Sequence, residues 1–132
     1  MSRADLVIIP TRGSILDAEE AVKAVRLLRT QEQAFRTTIP AAILFTQTSP
    51  AIRPRTLRNI EEQFERSDVP VFRSHLHDRD AYKALFVFGG GLATLDPAQV
   101  RNLETATANA AAFTREVVAR LKAGRATLAE VA

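Results

Sequence analysis

The chain has 132 residues and an ordinary apolar share, enough for one domain with a hydrophobic core. It contains no cysteine, which excludes a disulfide framework and thiolate chemistry. It shows neither a signal peptide pattern nor an apolar run long enough to span a bilayer, so we expect a cytoplasmic protein without a membrane partner. The net charge is only +3, so nucleic-acid binding would require clustered basic residues.

The first element is a short, unbroken apolar run, Leu6–Ile9, which ends at Pro10. Such a run is typical of a strand buried on both faces, as in a parallel sheet. A strand of this kind usually has neighbours on both sides, yet little chain precedes it. We therefore expect the chain to correspond to the second half of a larger α/β domain. We also expect the Leu6–Ile9 edge to pair with a second copy of the chain, giving a homo-oligomer.

A helix is predicted from Asp17 to Phe35, because Asp17 and Glu20 resemble a capping box. Its apolar face is formed by Ala21, Val22, Val25 and Leu28. A second strand is predicted at Ala41–Phe45, followed by a polar loop over residues 46–50. Loops at the carboxyl ends of parallel strands are where open α/β sheets bind ligands.

A second helix is predicted to start near Pro54, with an apolar stripe of Leu57, Ile60 and Phe64. A third strand is predicted at Val69–Phe72, and Asp78 is expected to cap a short helix that ends at Gly89–Gly91.

Asp96 and Pro97 are expected to open a long last helix and Gly124 to end it, leaving a disordered tail over residues 125–132. Its predicted buried face is formed by Leu103, Ala106, Ala110, Phe113, Val117 and Leu121. The alternation of strands and helices predicts a single α/β domain of three layers, with a parallel sheet flanked by helices.

The sequence contains no Gly-x-x-x-x-Gly-Lys-Ser/Thr loop, so the phosphate cradle of a P-loop NTPase is missing. The glycine triplet 89–91 follows a helix and has neither the lysine nor the hydroxyl. A metal site at His75, His77, Asp78 and Asp80 is less favoured than loop and cap roles, because no third ligand stands at a clear spacing. No Ser/His/Asp hydrolase pattern is present.

Two groups of basic residues follow neighbouring predicted strands, and we expect them to share one rim of the sheet. They are Arg53, Arg55 and Arg58 at the start of one helix, and Arg79 and Lys83 near the next. Arginines and helix N-terminal N–H groups at such a rim would hold phosphate oxygens. The equally supported alternative is a solvated charged face balanced by Glu61, Glu62 and Glu65.

Several segments resemble one family in their order and spacing. Asp5–Pro10 is an apolar strand ending in Ile-Pro, Ser14–Asp17 is a Ser-x-x-Asp helix start, and Leu76–Tyr82 is similar to a His-x-Arg-x-Ala-Tyr segment with a later glycine at 89. Together they resemble the second half of ParA/MinD-type partition ATPases, and above all the VirC-type relatives associated with DNA transfer.

The resemblance implies an ATP- and Mg²⁺-dependent dimer that binds DNA non-specifically and moves plasmids, chromosomes or transfer complexes, with a partition or transfer partner protein. In the family, the phosphate-binding loop and the catalytic acidic residues lie upstream of the region that this chain resembles. We therefore expect no cofactor and no autonomous ATPase activity here. The resemblance carries over the nucleotide-base rim, at Thr46, Gln47, His77 and Asp78. It also carries over the basic DNA-binding positions Arg53, Arg55, Arg58, Arg79 and Lys83.

Two other functions stay open from the sequence. One is a non-catalytic dimeric interaction module that does not bind DNA. The other is an enzyme of unrelated chemistry on an α/β scaffold, for which the sequence offers no site.

Overall fold

The computed structural model describes residues 3–131, with side chains through residue 126. The three strands are β1 (Val7–Thr11), β2 (Ala41–Thr48) and β3 (Leu76–His77), and they form a parallel sheet in the order β1-β2-β3. The helices are α1 (Ile15–Phe35), α2 (Arg55–Arg66), α3 (Asp80–Phe88) and α4 (Leu103–Val131), with a 3-10 turn at Leu92–Thr94. The predicted α/β class with a parallel sheet is confirmed.

Alternate residues of the strands pack against helices on opposite faces of the sheet. On one face, Ile9, Ile43 and Phe45 form a core with α1 and α2, including the predicted stripe Leu57, Ile60 and Phe64. On the other face, Ala42, Leu44 and Phe72 pack against Phe113 and Val117 of α4. Residues 42–45 are all buried, which explains why β2 reads as an unbroken apolar run. The predicted three-layer arrangement is therefore present.

A third cluster joins α3 and the 3-10 turn to the start of α4, with Ala81, Leu95, Val100 and Ala106 buried at its centre. The predicted apolar face of α1 is partly right. Ala21 and Leu28 are buried and Val25 is half-buried, but Val22 is exposed.

Strand β1 has a partner on one side only within the described residues. The Val7 N–H donates to the Pro40 carbonyl at 2.8 Å, so the backbone groups of Ile8 and Pro10 face away from β2. Pro10 has no N–H to donate, but because its backbone faces away from β2, no hydrogen bond between the two strands is lost. The predicted open edge is present, and its pairing with a second copy stays a prediction.

Helix α1 begins earlier than the capping box at Asp17 predicted, at the Ser-x-x-Asp start that the resemblance indicated. Ser14, not Asp17, is the N-cap: its hydroxyl oxygen accepts a hydrogen bond from the Asp17 N–H at 3.2 Å and its hydroxyl donates to the Asp17 carboxylate at 2.7 Å. This places the first helical residue at Ile15 and leaves Asp17 in the first turn, where a negative charge favours the helix dipole.

The third strand was predicted at the wrong segment. The backbone of Val69–Phe72 pairs with β2 only at a single parallel bridge between Val71 and Ile43, although Phe72 packs in the core, and the strand proper is Leu76–His77. The N–H groups of Arg73 and Ser74 donate to the Glu116 carboxylate, each at 2.9 Å, instead of joining the sheet. The chain therefore leaves the sheet there and returns two residues later.

Two predicted helix starts are also wrong. Arg79, not Asp78, is the N-cap of α3, because Asp78 pairs with Lys83 at 2.9 Å. The Asp96 side chain accepts from the Ala98 N–H in a separate turn, and the last helix starts only at Leu103. The prediction at Gly89 is right, since that residue is the α3 C-cap with φ of 71°.

Helix α4 continues through Gly124 to Val131, so Gly124 does not end it. The tail predicted at residues 125–132 overlaps its last turns, and Ala132 and the side chains from residue 127 lie outside the described part of the chain. None of the helices described is both long enough and apolar enough to cross a membrane.

Candidate functional site

The carboxyl ends of β2 and β3 meet at a buried threonine. β2 runs to Thr48, past the predicted end at Phe45, and Gln47, with a left-handed φ of 55°, lies where the register against β3 shifts. The Thr48 Oγ1 atom consequently lies 3.1 Å from Nδ1 of His75 and 3.1 Å from Nδ1 of His77. Two imidazoles from one strand end thus share a single hydroxyl.

His75 is connected in turn to an acidic residue of α2. Its side chain is only 5% exposed, and its Nε2 lies 3.6 Å from Glu61 Oε1. The other Glu61 oxygen, Oε2, pairs with Arg53 at 3.3 Å. Glu61 is only 15% exposed and so departs from the alternative of a solvated charged face, whereas Glu62 and Glu65 are exposed, as that alternative expected.

Burial shifts the pKa values of His75 and Glu61 in opposite directions. Desolvation, together with the positive charge of Arg53 and the neighbouring His77, lowers the pKa of His75 to about 4. Desolvation also raises the pKa of Glu61, and the Arg53 guanidinium opposes that rise. His75 is therefore neutral at neutral pH.

An asparagine of α4 holds β3 in place. Asn109 Oδ1 accepts from the His77 N–H at 3.2 Å and from the Tyr82 hydroxyl at 2.9 Å, and it lies 3.4 Å from Arg79 Nε. Its Nδ2 donates to the His75 carbonyl at 2.7 Å. One side chain thus fixes both histidines of the site and the entry to α3.

A cavity of about 300 Å³ opens beside His77 and contains all four residues predicted for the nucleotide-base rim. Its lining is formed by Thr46, Gln47, His77 and Asp78 together with Leu76, Arg79, Tyr82, Lys83 and Phe86. Phe86 is 93% exposed at the mouth. The structure therefore brings these four residues together in one cavity.

Of the five predicted DNA-binding residues, Arg79 and Lys83 line the cavity with His77, Arg53 is close enough to lower the His77 pKa, and Arg55 and Arg58 lie at the start of α2. Burial lowers the pKa of His77, and the positive charges of Arg79 and Arg53 lower it further, so both arginines act on one imidazole. Arg53 is paired with Glu61 and Lys83 with Asp78. Arg55 is exposed and has no side-chain partner among the described residues, which makes it the most available cation of the set.

The histidines do not form a metal centre in the described part of the chain, where no three His, Cys, Asp or Glu side chains converge on a common point. Both Nδ1 atoms face Thr48 instead.

The sequence did not predict the roles of three polar residues of α4, Asn109, Glu116 and Arg120, which bind backbone groups of residues 71–77. Glu116 accepts the Arg73 and Ser74 N–H groups, and Arg120 donates to the Val71 carbonyl at 2.8 Å and stacks over Phe72. Burial, the largest influence, raises the pKa of Glu116, but hydrogen bonds from Ser74, Arg73 and Arg120 outweigh it and lower the pKa overall. Each of the three residues directly precedes a member of the predicted apolar face of α4, and that position beside the buried face was the available signal.

A parallel sheet with helices on both faces, and a cavity at the carboxyl ends of its strands, is consistent with half of a P-loop NTPase-like domain. Comparison with known proteins narrows the class. The model of the VirC1 protein family matches residues 1–123, so the chain belongs to the VirC1 family. It is also 36% identical over 121 residues to Protein ParA of Rhizobium radiobacter, an alignment that covers 92% of this chain and 54% of that protein. The chain thus spans about half the length of the curated relative that it matches, and the resemblance to ParA and VirC-type proteins is confirmed.

Proposed function

We propose that this chain serves DNA partition or DNA transfer by binding duplex DNA non-specifically through its phosphates. The observation that carries the proposal is the rim of cations that follows β2 and β3, where Arg79 and Arg53 both lower the pKa of His77 and Arg79 and Lys83 line the cavity. The residues of the rim are Arg53, Arg55, Arg58, Arg79 and Lys83. Membership in the VirC1 family and similarity to ParA support it. Phosphate contacts of this kind position a protein on DNA without reading its sequence.

The cavity beside the rim is proposed to take a nucleotide base. Its polar groups are two side chains that donate or accept, at Thr46 and Gln47, with the imidazole of His77 and the carboxylate of Asp78. The 132 residues contain no phosphate-binding loop, so we propose that ATP, its Mg²⁺ and its hydrolysis are not supported by this chain alone.

A second copy of the chain is the partner proposed for the open β1 edge. That edge presents unpaired backbone groups at Ile8 and at the carbonyl of Pro10. Edges of this kind add a strand from another chain. We propose that the dimer acts in the cytoplasm together with a partition or transfer protein.

The DNA proposal is tested by titrating labelled duplex DNA at low and moderate salt with matched double variants. The double variant Arg55→Ala with Arg58→Ala removes two rim cations. It keeps Arg53, because loss of Arg53 would leave Glu61 without its ion-pair partner. Arg115→Ala with Arg125→Ala removes the same charge from exposed positions on α4, outside the rim.

The slope of log affinity against log salt is about −0.9 for each phosphate contact. The rim variant is expected to reduce that slope by about 1.8 if each arginine makes one contact. The α4 control is expected to change it by much less. Equal losses in both variants would mean that only net charge matters, and the rim would not be the DNA site.

The alternative is a non-catalytic dimeric interaction module. One observation favours it: Arg53 and Lys83 already have acidic partners, so part of the rim charge is neutralised within the chain. A dimer that binds no duplex at low salt would establish this alternative.

A further inference from the structure

Helix α1 has an exposed flank that is apolar at both ends and charged in the middle. Leu16 and Leu27 are 76% and 53% exposed, and between them Glu20 and Lys23 form an ion pair at 2.9 Å. Positions 16, 20, 23 and 27 are three or four residues apart, so their side chains lie along one side of the helix. These four residues are called the α1 flank below.

The α1 flank faces outward past the open edge of β1. A different side of α1, with Ile15, Glu19 and Val22, lines a groove against α2. Helix α2 lies over β2 and next to His75, so this groove is on the β3 side of α1. At 3.6 residues per turn, the α1 flank is about 100° around the helix from the groove. It is therefore on the side of α1 that overlooks the β1 edge.

The α1 flank is complementary to itself. Leu16 and Leu27 are equally far from the midpoint between residues 21 and 22, and so are Glu20 and Lys23. A two-fold axis through that midpoint brings the same four residues of a second copy into antiparallel contact. Each Leu16 then meets the partner's Leu27, and each Glu20 meets the partner's Lys23.

The same axis fits the β1 edge. The N–H and C=O of Ile8 face away from β2, so two copies paired antiparallel at Ile8 exchange two hydrogen bonds. Ile8 is three residues before the end of β1 at Thr11, about 10 Å along the strand. The flank midpoint is six to seven residues after the start of α1 at Ile15, also about 10 Å along the helix. Because the connection over residues 12–14 is short, the two points lie at a similar height.

The other edge of the sheet is occupied in the part of the chain that the structure describes. Backbone groups of Val71, Arg73, His75 and His77 on that edge already bind side chains of α4. A second copy is therefore offered one sheet edge, and pairing there closes at two chains.

We propose that the α1 flank is the contact surface for a second copy of this chain, in an antiparallel dimer whose two-fold axis passes beside Ile8 and the flank midpoint. This contact rests on the pairing proposed for the β1 edge and deepens it. A short pair of strands is marginal by itself in water. The flank adds two leucine contacts and two ion pairs to it.

Charge reversal tests the surface, with the dimer dissociation constant measured by sedimentation equilibrium over a concentration series. Glu20→Lys sets like charges against each other at two symmetry-related places, and it is expected to raise that constant about tenfold or more. The double variant Glu20→Lys with Lys23→Glu restores opposite charges and is expected to return it to near the wild-type value. Glu19→Lys makes the same charge change on the α2 side of the helix and is expected to alter it less than threefold.

Disulfide trapping tests the register, because the chain has no cysteine of its own. A mixture of the Leu16→Cys and Leu27→Cys chains is expected to form a covalent dimer in oxidised glutathione. Either variant alone is expected to stay unlinked, since residue 16 of one copy lies about 16 Å along the helix from residue 16 of the other, too far for a disulfide.

A wild-type dimer that gives no link between residues 16 and 27, and that responds equally to Glu20→Lys and Glu19→Lys, would overturn the flank contact and leave the pairing at β1 in place. A wild-type chain that stays monomeric at high concentration would overturn both. The duplex titration described above reports separately on the DNA proposal, because the rim residues do not belong to α1.

Discussion

Replacing Asn109 by alanine tests whether one side chain holds the site together. The substitution removes the acceptor of the His77 N–H and the donor to the His75 carbonyl. The Tyr82 hydroxyl keeps a second acceptor, the Ala106 carbonyl at 2.9 Å, and the contact to Arg79 is long. Two backbone groups of β3 and the residues before it are therefore left without partners.

The expected cost follows from those two groups. A buried backbone group without a partner costs about 1–3 kcal/mol, so two cost roughly 2–6 kcal/mol. Water reaches half-buried His77 and reduces its share, and alanine favours the helix over asparagine by about 0.6 kcal/mol. We expect Asn109→Ala to lower the free energy of unfolding by about 2–4 kcal/mol in urea titrations.

Thr105→Ala is the matched control, because Thr105 is an exposed residue one turn earlier on α4. Threonine and asparagine have similar helix propensities, so both variants gain about the same amount from alanine. The free energy of unfolding of Thr105→Ala is expected to stay within about 0.7 kcal/mol of the wild-type value. If the free energy of unfolding of Asn109→Ala also stayed within about 0.7 kcal/mol of the wild-type value, Asn109 would not be the residue that holds β3 in place.

Three other perturbations have defined outcomes. Burial lowers the pKa of His75 from 6.5 to about 4, so between these pH values the unfolded chain binds a proton that the folded chain does not. The free energy of unfolding should therefore fall by up to about 3 kcal/mol as pH drops from 6.5 to 4, and urea titrations should show a smaller fall in His75→Gln. An equal fall in His75→Gln would contradict the lowered pKa of His75. Glu116 has a lowered pKa, so its contribution is present above pH 4.5 and disappears as pH falls below it; Glu116→Gln should lose about 1–3 kcal/mol at pH 7 and less at pH 3 in the same assay. Leu6→Pro removes one N–H from the open edge of β1 and keeps the hydrogen bond from the Val7 N–H to Pro40. If a second copy pairs with this edge, light scattering should show that the variant converts from dimer to monomer. A wild-type chain that stays monomeric at high concentration would argue against edge pairing.

The parts of the fold that the sequence predicted are those with a strong local pattern. β1 and β2 appear as unbroken apolar runs because helices cover both faces of the sheet. The stripe of α2, at Leu57, Ile60 and Phe64, is fully buried, as its spacing indicated.

β3 could not be predicted in this way because tertiary contacts decide where it forms. Val69–Phe72 has the better strand composition, yet Glu116 takes the next two N–H groups and Asn109 holds His77. Both acceptors lie more than 30 residues away on α4. Local propensity does not contain that information.

The candidate site was predicted in part. The resemblance identified Thr46, Gln47, His77 and Asp78, which line one cavity. It did not reveal that Thr48 joins the two histidines, since that contact depends on the register shift at Gln47. From the sequence, Glu61 could belong to a solvated charged face that balances the arginines. Its burial was not predictable, because it follows from the packing of α2 against the sheet and not from the neighbouring residues in sequence.

We propose that the chain binds DNA through its rim and does not bind ATP by itself. Titration calorimetry of the purified chain with duplex DNA and with ATP, each at low and moderate salt, tests both parts. We expect DNA binding that weakens steeply with salt and no measurable heat of ATP binding. Tight ATP binding, or absence of DNA binding at low salt, would contradict it.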